Sequence, residues 1–197
     1  GMTTVVILSS MWANQNHWSR QRFCFNKNVH CLKFYAMIKK ILIAFAVILL
    51  IIQFIRPEKN IAAAPSEANI ATHYATPDNV KKILERSCND CHSNTTKYPW
   101  YASIQPLGWW LADHVNEGKS ELNFDAFMTY KPKKARHKME EVNEMVKEGE
   151  MPLSSYTIVH RDAKLTQEDK LVLADWAVAT MKAIEAEHKL EPEAEKH

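Results

Sequence analysis

The 197-residue chain is predicted to be all-α: a small helical domain preceded by one N-terminal membrane-anchor helix. Three observations predict this. Only four glycines occur, and alternating β-branched runs are scarce, so little in the composition favours a sheet. From Thr76 onward, apolar residues return at helical spacing in successive segments bounded by capping residues, proline or glycine. Residues 41–55, ILIAFAVILLIIQFI, form an uncharged apolar run. The length and 46% hydrophobic content suit one modest domain with appendages.

Charge divides along the chain. Residues 1–55 carry six Lys/Arg and no acid, a net +6, whereas the remainder sums to −4. A mildly acidic body argues against nucleic acid as a partner.

Residues 1–36 show no sustained period and read as a non-native or disordered extension, with Met37 as the expected start. Met37-Ile38-Lys39-Lys40 then opens residues 37–56 as an export segment, basic first and apolar after. Its 15-residue apolar core is short of the ~20 that span a bilayer, but Ile38 and the stems of Lys39 and Lys40 extend it. Ala62-Ala63-Ala64 offers a cleavage site, yet Arg56, Glu58 and Lys59 intervene, which favours an uncleaved anchor. Lys39 and Lys40 place the following domain outside the cytoplasm, so the expected location is the inner membrane, crossed once, with the domain in the periplasm. Residues 57–75, rich in Ala, Asn, Pro and Ser, read as a linker.

The domain is expected over residues 76–186, with 187–197 a charged tail. Thr76-Pro77-Asp78 signals a helix start, with Thr76 as N-cap and Pro77 at the first helical position. Val80, Ile83, Leu84 and Ser87 then share one face and lead into Cys88-Asn89-Asp90-Cys91-His92. This C-x-x-C-H spacing is that of c-type haem attachment: two thiols add across the porphyrin vinyl groups, and the tether forces the adjacent imidazole under the iron. A thioredoxin-like dithiol would need a strand before the motif, where a helix is read. A zinc knuckle would need a second ligand pair, and the chain holds no other C-x-x-C; Cys24 and Cys31 are its remaining thiols.

Pro106 begins a second helix whose apolar face holds Leu107, Trp110, Leu111, His114 and Val115, with Gly118 as its stop. His114 is read mainly as a core histidine, bonded to backbone or to a haem propionate, and secondarily as an iron ligand. Trp109 and Trp110 suit either ordinary core or the flat wall a porphyrin needs. A third helix over residues 133–148 turns Ala135, Met139, Val142, Met145 and Val146 inward, and Gly149 ends it. The cluster Lys131, Lys133, Lys134, Arg136 and Lys138 reads as its solvated start rather than a docking patch. Thr166-Gln167-Glu168-Asp169 opens the last helix, with Leu171, Val172, Trp176, Ala179 and Ile184 inward.

Met151 is the expected distal ligand. It lies just past the helix-ending Gly149 and before the stiff ring of Pro152, on a segment able to fold over a porphyrin, and thioether sulfur is a soft ligand suited to haem iron. His114, His137 and His160 are the competing ligands. Met139 and Met145 sit in the apolar stripe and read as core filling.

From Cys88 to Leu165 the chain resembles the haem-binding domain family of bacterial membrane-anchored monohaem c-type cytochromes. The matching residues are Cys88-Asn-Asp-Cys91-His92-Ser93-Asn94, Tyr98-Pro99-Trp100-Tyr101, Pro106-Leu107-Gly108-Trp109, Val115-Asn116-Glu117-Gly118, Leu122-Asn123-Phe124, Gly149-Glu150-Met151-Pro152 and Tyr156 through His160. The resemblance implies a cytochrome c-like helical domain around one haem c held through Cys88 and Cys91. It names no reaction. The expected site is Cys88, Cys91, His92, Met151, Trp109, Trp110 and His114, with His92 and Met151 on the iron. The expected function is one-electron transfer with redox proteins of a respiratory or periplasmic chain, without catalysis. The alternative is a haem sensor or peroxidase-like enzyme with a vacatable sixth iron position.

Overall fold

The structure, a computed structural model, describes residues 32–190. The expectations for residues 1–31, including Cys24 and Cys31, and for 191–197 lie outside the described residues. The chain divides into two compact units at Ile55 and Arg56.

The first unit holds helix α1 (Leu32–Ile52), long and apolar enough to cross a membrane, its apolar side chains exposed along its length. Its 21 residues extend about 31 Å at 1.5 Å per residue, close to the ~30 Å hydrocarbon core. It starts before Met37 because residues 32–36 contain no helix breaker. Its end tightens: the N–H groups of Gln53, Phe54 and Ile55 reach carbonyls three residues back, ahead of Pro57.

The second unit is helical, and no strand occurs among its described residues. Helices α2 (Asp78–Ser87), α3 (Asn89–His92), α4 (Leu107–Glu121), α5 (Pro132–Glu148), α6 (Ser154–Val159) and α7 (Gln167–His188) are joined by 3-10 turns at Ile70–Thr72, Trp100–Ser103, Phe124–Thr129 and Arg161–Ala163. The long helices α5 and α7 pack along one another, α2 packs on α7, and α3 sits between α2 and α4. The core joins Val80, Ile83 and Leu84 of α2 to Phe124, Phe127, Met139, Leu173, Trp176 and Ile184. Burying side chains such as Phe127 and Met139 contributes about 1.5–3 kcal/mol each. The Trp176 indole N–H donates to Ala75 O at 3.1 Å, tying the approach to α2 onto α7.

Several elements depart from the sequence expectation. Residues 57–75 are part of the domain rather than a linker: Ile70 and Tyr74 lie in the core, and the Asn60 amide donates to Ser93 O at 2.9 Å. The Thr76 hydroxyl turns back to Tyr74 O, and Pro77 occupies the N-cap position. Helix α4 runs through Gly118 to Glu121. There a Cβ on Gly118 would lie 2.9 Å from Cys91 O, so glycine serves close packing and not termination.

Arg136 and Lys138 are buried by ion pairs. Arg136 pairs with Glu140 at 2.9 Å and Glu185 at 2.7 Å, and Lys138 with Glu121 at 3.1 Å and Glu141 at 2.7 Å. On α7 the buried face is Leu173, Ala174, Trp176, Ala177, Thr180 and Ile184, with Leu171 and Ala179 exposed. The helix is apolar on several sides, so spacing alone does not fix its phase. Glu187, expected in the charged tail, accepts from His73 and Tyr74, at 3.0 and 3.2 Å. Gly149 caps α5 at φ 80°, and Thr166 with Asp169 forms a reciprocal capping box on α7.

Candidate functional site

The site begins where α2 breaks. Cys88 leaves helical geometry at φ −128°, and its carbonyl accepts from the N–H groups of Cys91 and His92 at 3.1 and 3.0 Å. That single turn puts both thiols and the imidazole on one cleft. Gly118 brings α4 close against Cys91, so the chain leaving α4 delivers the Leu122 carbonyl to His92 at 2.9 Å from Nδ1. A carbonyl only accepts, so Nδ1 carries the proton and Nε2 keeps a free lone pair. Burial lowers the His92 pKa against the opposing pull of the Leu122 and Gly118 carbonyls, which keeps the ring neutral and fit to ligate.

Burial also governs the thiols. Cys88 is pushed up to about 12 by burial and then by Cys91, with Arg86 opposing; Cys91 is pushed up to about 11 by burial and then by Asp90. Both are free, protonated thiols at neutral pH. A redox-exchanging dithiol needs the opposite shift, so the environment disfavours thioredoxin-like chemistry. Among the described residues, no group of three His, Cys, Asp or Glu forms a metal-holding cluster, which likewise disfavours a zinc knuckle.

Two adjoining cavities of about 210 and 330 Å³ share Cys88, His92, Glu121 and Met151. Together they fall in the roughly 300–1,000 Å³ range of small-molecule sites. The larger is walled by Leu122, Phe124, Val142, Met145 and Leu173; the smaller adds Cys91, His114 and Tyr156. Met151 reaches both from the loop after α5. The N–H groups of Gly149, Glu150 and Met151 all reach the Met145 carbonyl, at 3.1, 3.0 and 3.3 Å, and this folds the loop back over the helix end.

The remaining expected residues are placed differently. Trp109 and Trp110 line neither cavity and are 36% and 42% exposed. Trp110 instead packs on the His114 ring, with centroids 4.3 Å apart. His114 is half-exposed at the cleft, its Nδ1 donating to Trp110 O at 3.0 Å. His137 pairs with Glu140 and Glu141, and His160 meets the Tyr101 hydroxyl at 2.8 Å; neither lines the cleft. The structure therefore brings together Cys88, Cys91, His92, Met151 and His114.

Two cleft residues escaped the sequence reading. Lys138 lines the larger cavity beside its partners Glu121 and Glu141. Its position between Ala135 and Val142 on the apolar stripe of α5 was the available signal. Tyr156 lines the smaller cavity and donates to Asp90 Oδ2 at 2.7 Å, fastening α6 to the middle of the cysteine motif.

A neutral imidazole nitrogen, a thioether and two thiols around an apolar cleft form a donor set suited to haem. Independently, a family model described as a haem-binding domain matches residues 47–179. No curated protein and no solved structure matches the chain.

Proposed function

The chain belongs to the haem-binding domain family, and from that premise we propose that it is a c-type cytochrome transferring single electrons outside the cytoplasm. Cys88 and Cys91 would hold one haem as thioethers, with His92 and Met151 as the residues that would ligate its iron. The observation carrying this reading is the His92–Leu122 hydrogen bond, which frees Nε2 in a cleft shared with both thiols and Met151. Bound haem would supply a one-electron ferrous–ferric couple.

The chain's own residues do the rest. Leu122 orients His92, the clamp on the Met145 carbonyl positions Met151, and Leu122, Phe124, Val142 and Leu173 exclude water. Met151 has no ionisable proton and the Nδ1 proton of His92 is engaged by the Leu122 carbonyl, which suits electron transfer better than acid–base catalysis. Helix α1 would anchor the domain in the inner membrane, with Lys39 and Lys40 on the cytoplasmic side and redox proteins of the periplasm as partners.

A second reading has one supporting observation. His114 lines the same cavity as Met151 and could serve a sensor or peroxidase-like iron whose sixth position opens. Protein produced with a c-type maturation system decides between these readings. Electron transfer requires a one-haem mass adduct and a low-spin spectrum that carbon monoxide leaves unchanged. Rapid carbon monoxide binding to the reduced protein would favour the second reading, and absence of a haem adduct would end both.

A further inference from the structure

Outside the cleft, residues 98–112 (YPWYASIQPLGWWLA) hold no charged side chain. Trp100 is 80% exposed, Leu107 48% and Ile104 44%, and none of the three lines the haem cleft. They are presented by a tightly fastened knuckle. A Cβ on Gly108 would collide with Ala102 O and the Gln105 side chain, so the 3-10 turn at Trp100–Ser103 and the first turn of α4 lie in close contact. The buried Gln105 accepts the Trp109 N–H at 3.0 Å, fixing the bend between them. Large exposed apolar side chains clustered this closely mark an interaction surface.

The chain itself indicates what covers this surface. Asn60 N–H donates to the Tyr98 hydroxyl at 2.7 Å, two residues from Trp100. Ile55, the last apolar residue of the N-terminal run, lies five residues before Asn60, a reach of roughly 17 Å at full extension. Lysines gather at the same point: Lys59 Nζ lies 5.6 Å from the Tyr98 ring centre, Lys119 donates to Asn60 Oδ1 at 2.6 Å, and Lys97 adjoins Tyr98. Exposed tryptophan and aliphatic residues beside lysines are the composition of a surface seated among lipid headgroups.

We infer that the Trp100–Ile104–Leu107 knuckle docks into the headgroup region of the bilayer that α1 crosses, with Lys59, Lys97 and Lys119 meeting anionic lipid. The inference rests on the anchor reading of α1, and its function is to hold the haem domain in one orientation over the membrane.

The test uses the full haem-loaded chain, with Cys24 and Cys31 replaced by Ser, in vesicles of phosphatidylethanolamine and phosphatidylglycerol. Nitroxide labels are placed singly by Ser103→Cys in the knuckle, Glu144→Cys on exposed α5 and Leu50→Cys in α1. The label at 103 should be shielded from a water-soluble nickel chelate several-fold relative to the label at 144, and Trp100→Ser with Leu107→Ser should abolish the shielding while leaving the haem spectrum unchanged. Equal exposure at 103 and 144, with the label at 50 shielded, would overturn the docking and leave the face to a partner protein. Exposure of the label at 50 would remove the anchor reading and the inference with it.

Discussion

The two sides of the cleft are held in different ways. On the His92 side three parts of the motif have outside partners: Leu122 O fixes the imidazole, Gly118 admits Cys91, and Asp90 accepts from Tyr156 OH and Lys97 N–H. The Thr96 hydroxyl also donates to Asp90 O at 2.6 Å. On the Met151 side the backbone is clamped to one carbonyl, that of Met145, and the thioether ends an unbranched side chain with three rotatable bonds. One wall is therefore rigid to the ligand atom, and the other is rigid only to the backbone. A ligand on the first wall is preorganised, whereas one on the second adapts to what it meets.

Breaking the rigid wall should have the largest effect. His92→Ala removes the nitrogen that the Leu122 carbonyl orients, and the other imidazole at the cleft, His114, stands on α4 outside the cysteine turn. Loss of the low-spin absorption spectrum is expected, with the covalent haem adduct still sought by mass. A normal spectrum would refute the assignment of this motif.

The adaptable wall should lose less. Met151→Ala is expected to leave the haem attached but to remove the weak far-red band that marks sulfur bonded to ferric haem. His114→Ala should leave that band in place. Absence of the band from the unsubstituted protein would sink Met151 as ligand, and its loss in His114→Ala alone would move the assignment.

The contrast between the walls also explains what could be read from the sequence. Cys88, Cys91 and His92 are neighbours in the chain, so one turn of backbone suffices to gather them and their spacing shows it. Gly149 and the Thr166–Asp169 box were equally legible, because capping is local chemistry. Lys138 and Arg136 were misread as solvated because their partners Glu121 and Glu185 come from other helices. Gly118 was misread as a helix stop for the same reason: its demand for a missing side chain comes from Cys91, far back in the chain. The exposed positions of Trp109 and Trp110 likewise depend on where α4 is turned by α3, which the spacing within α4 does not contain.

That Gly118 contact offers a sharper probe of the rigid wall. In an isolated helix Gly→Ala stabilises by about 1 kcal/mol. Here the new methyl would stand 2.9 Å from Cys91 O and 3.0 Å from Cys91 Cβ, and backbone cannot move aside as a side-chain tip can. Overpacking of this kind costs about 1–3 kcal/mol. Gly118→Ala should therefore destabilise the domain in denaturant unfolding and lower haem incorporation during maturation. A gain in stability would show that α4 and the cysteine turn are not in the close contact described.

The smallest effect is expected where α2, which delivers Cys88, is tied to α7. Arg86 donates to Asp169 Oδ2 at 2.9 Å, and Thr166 adds its N–H at 2.9 Å and its hydroxyl at 2.8 Å. Burial alone would raise the Asp169 pKa, but the Thr166 donors and Arg86 outweigh it and hold the carboxyl below its ordinary 3.8. A carboxyl depressed in the folded state contributes stability above its unfolded pKa, and that contribution is lost as pH falls through the folded value. Arg86 is a third exposed, so screening keeps the pair near the value of a cap or surface ion pair, about 1 kcal/mol. Asp169→Asn should thus lower unfolding stability by about that amount at neutral pH, and the gap from the unsubstituted protein should narrow as pH drops below the ordinary carboxylate range. Denaturant unfolding of both proteins across that range measures it. A gap that stays constant into acid would mean that the Asp169 charge does not clamp α2, leaving the rigid wall to the bonds around Asp90 and His92.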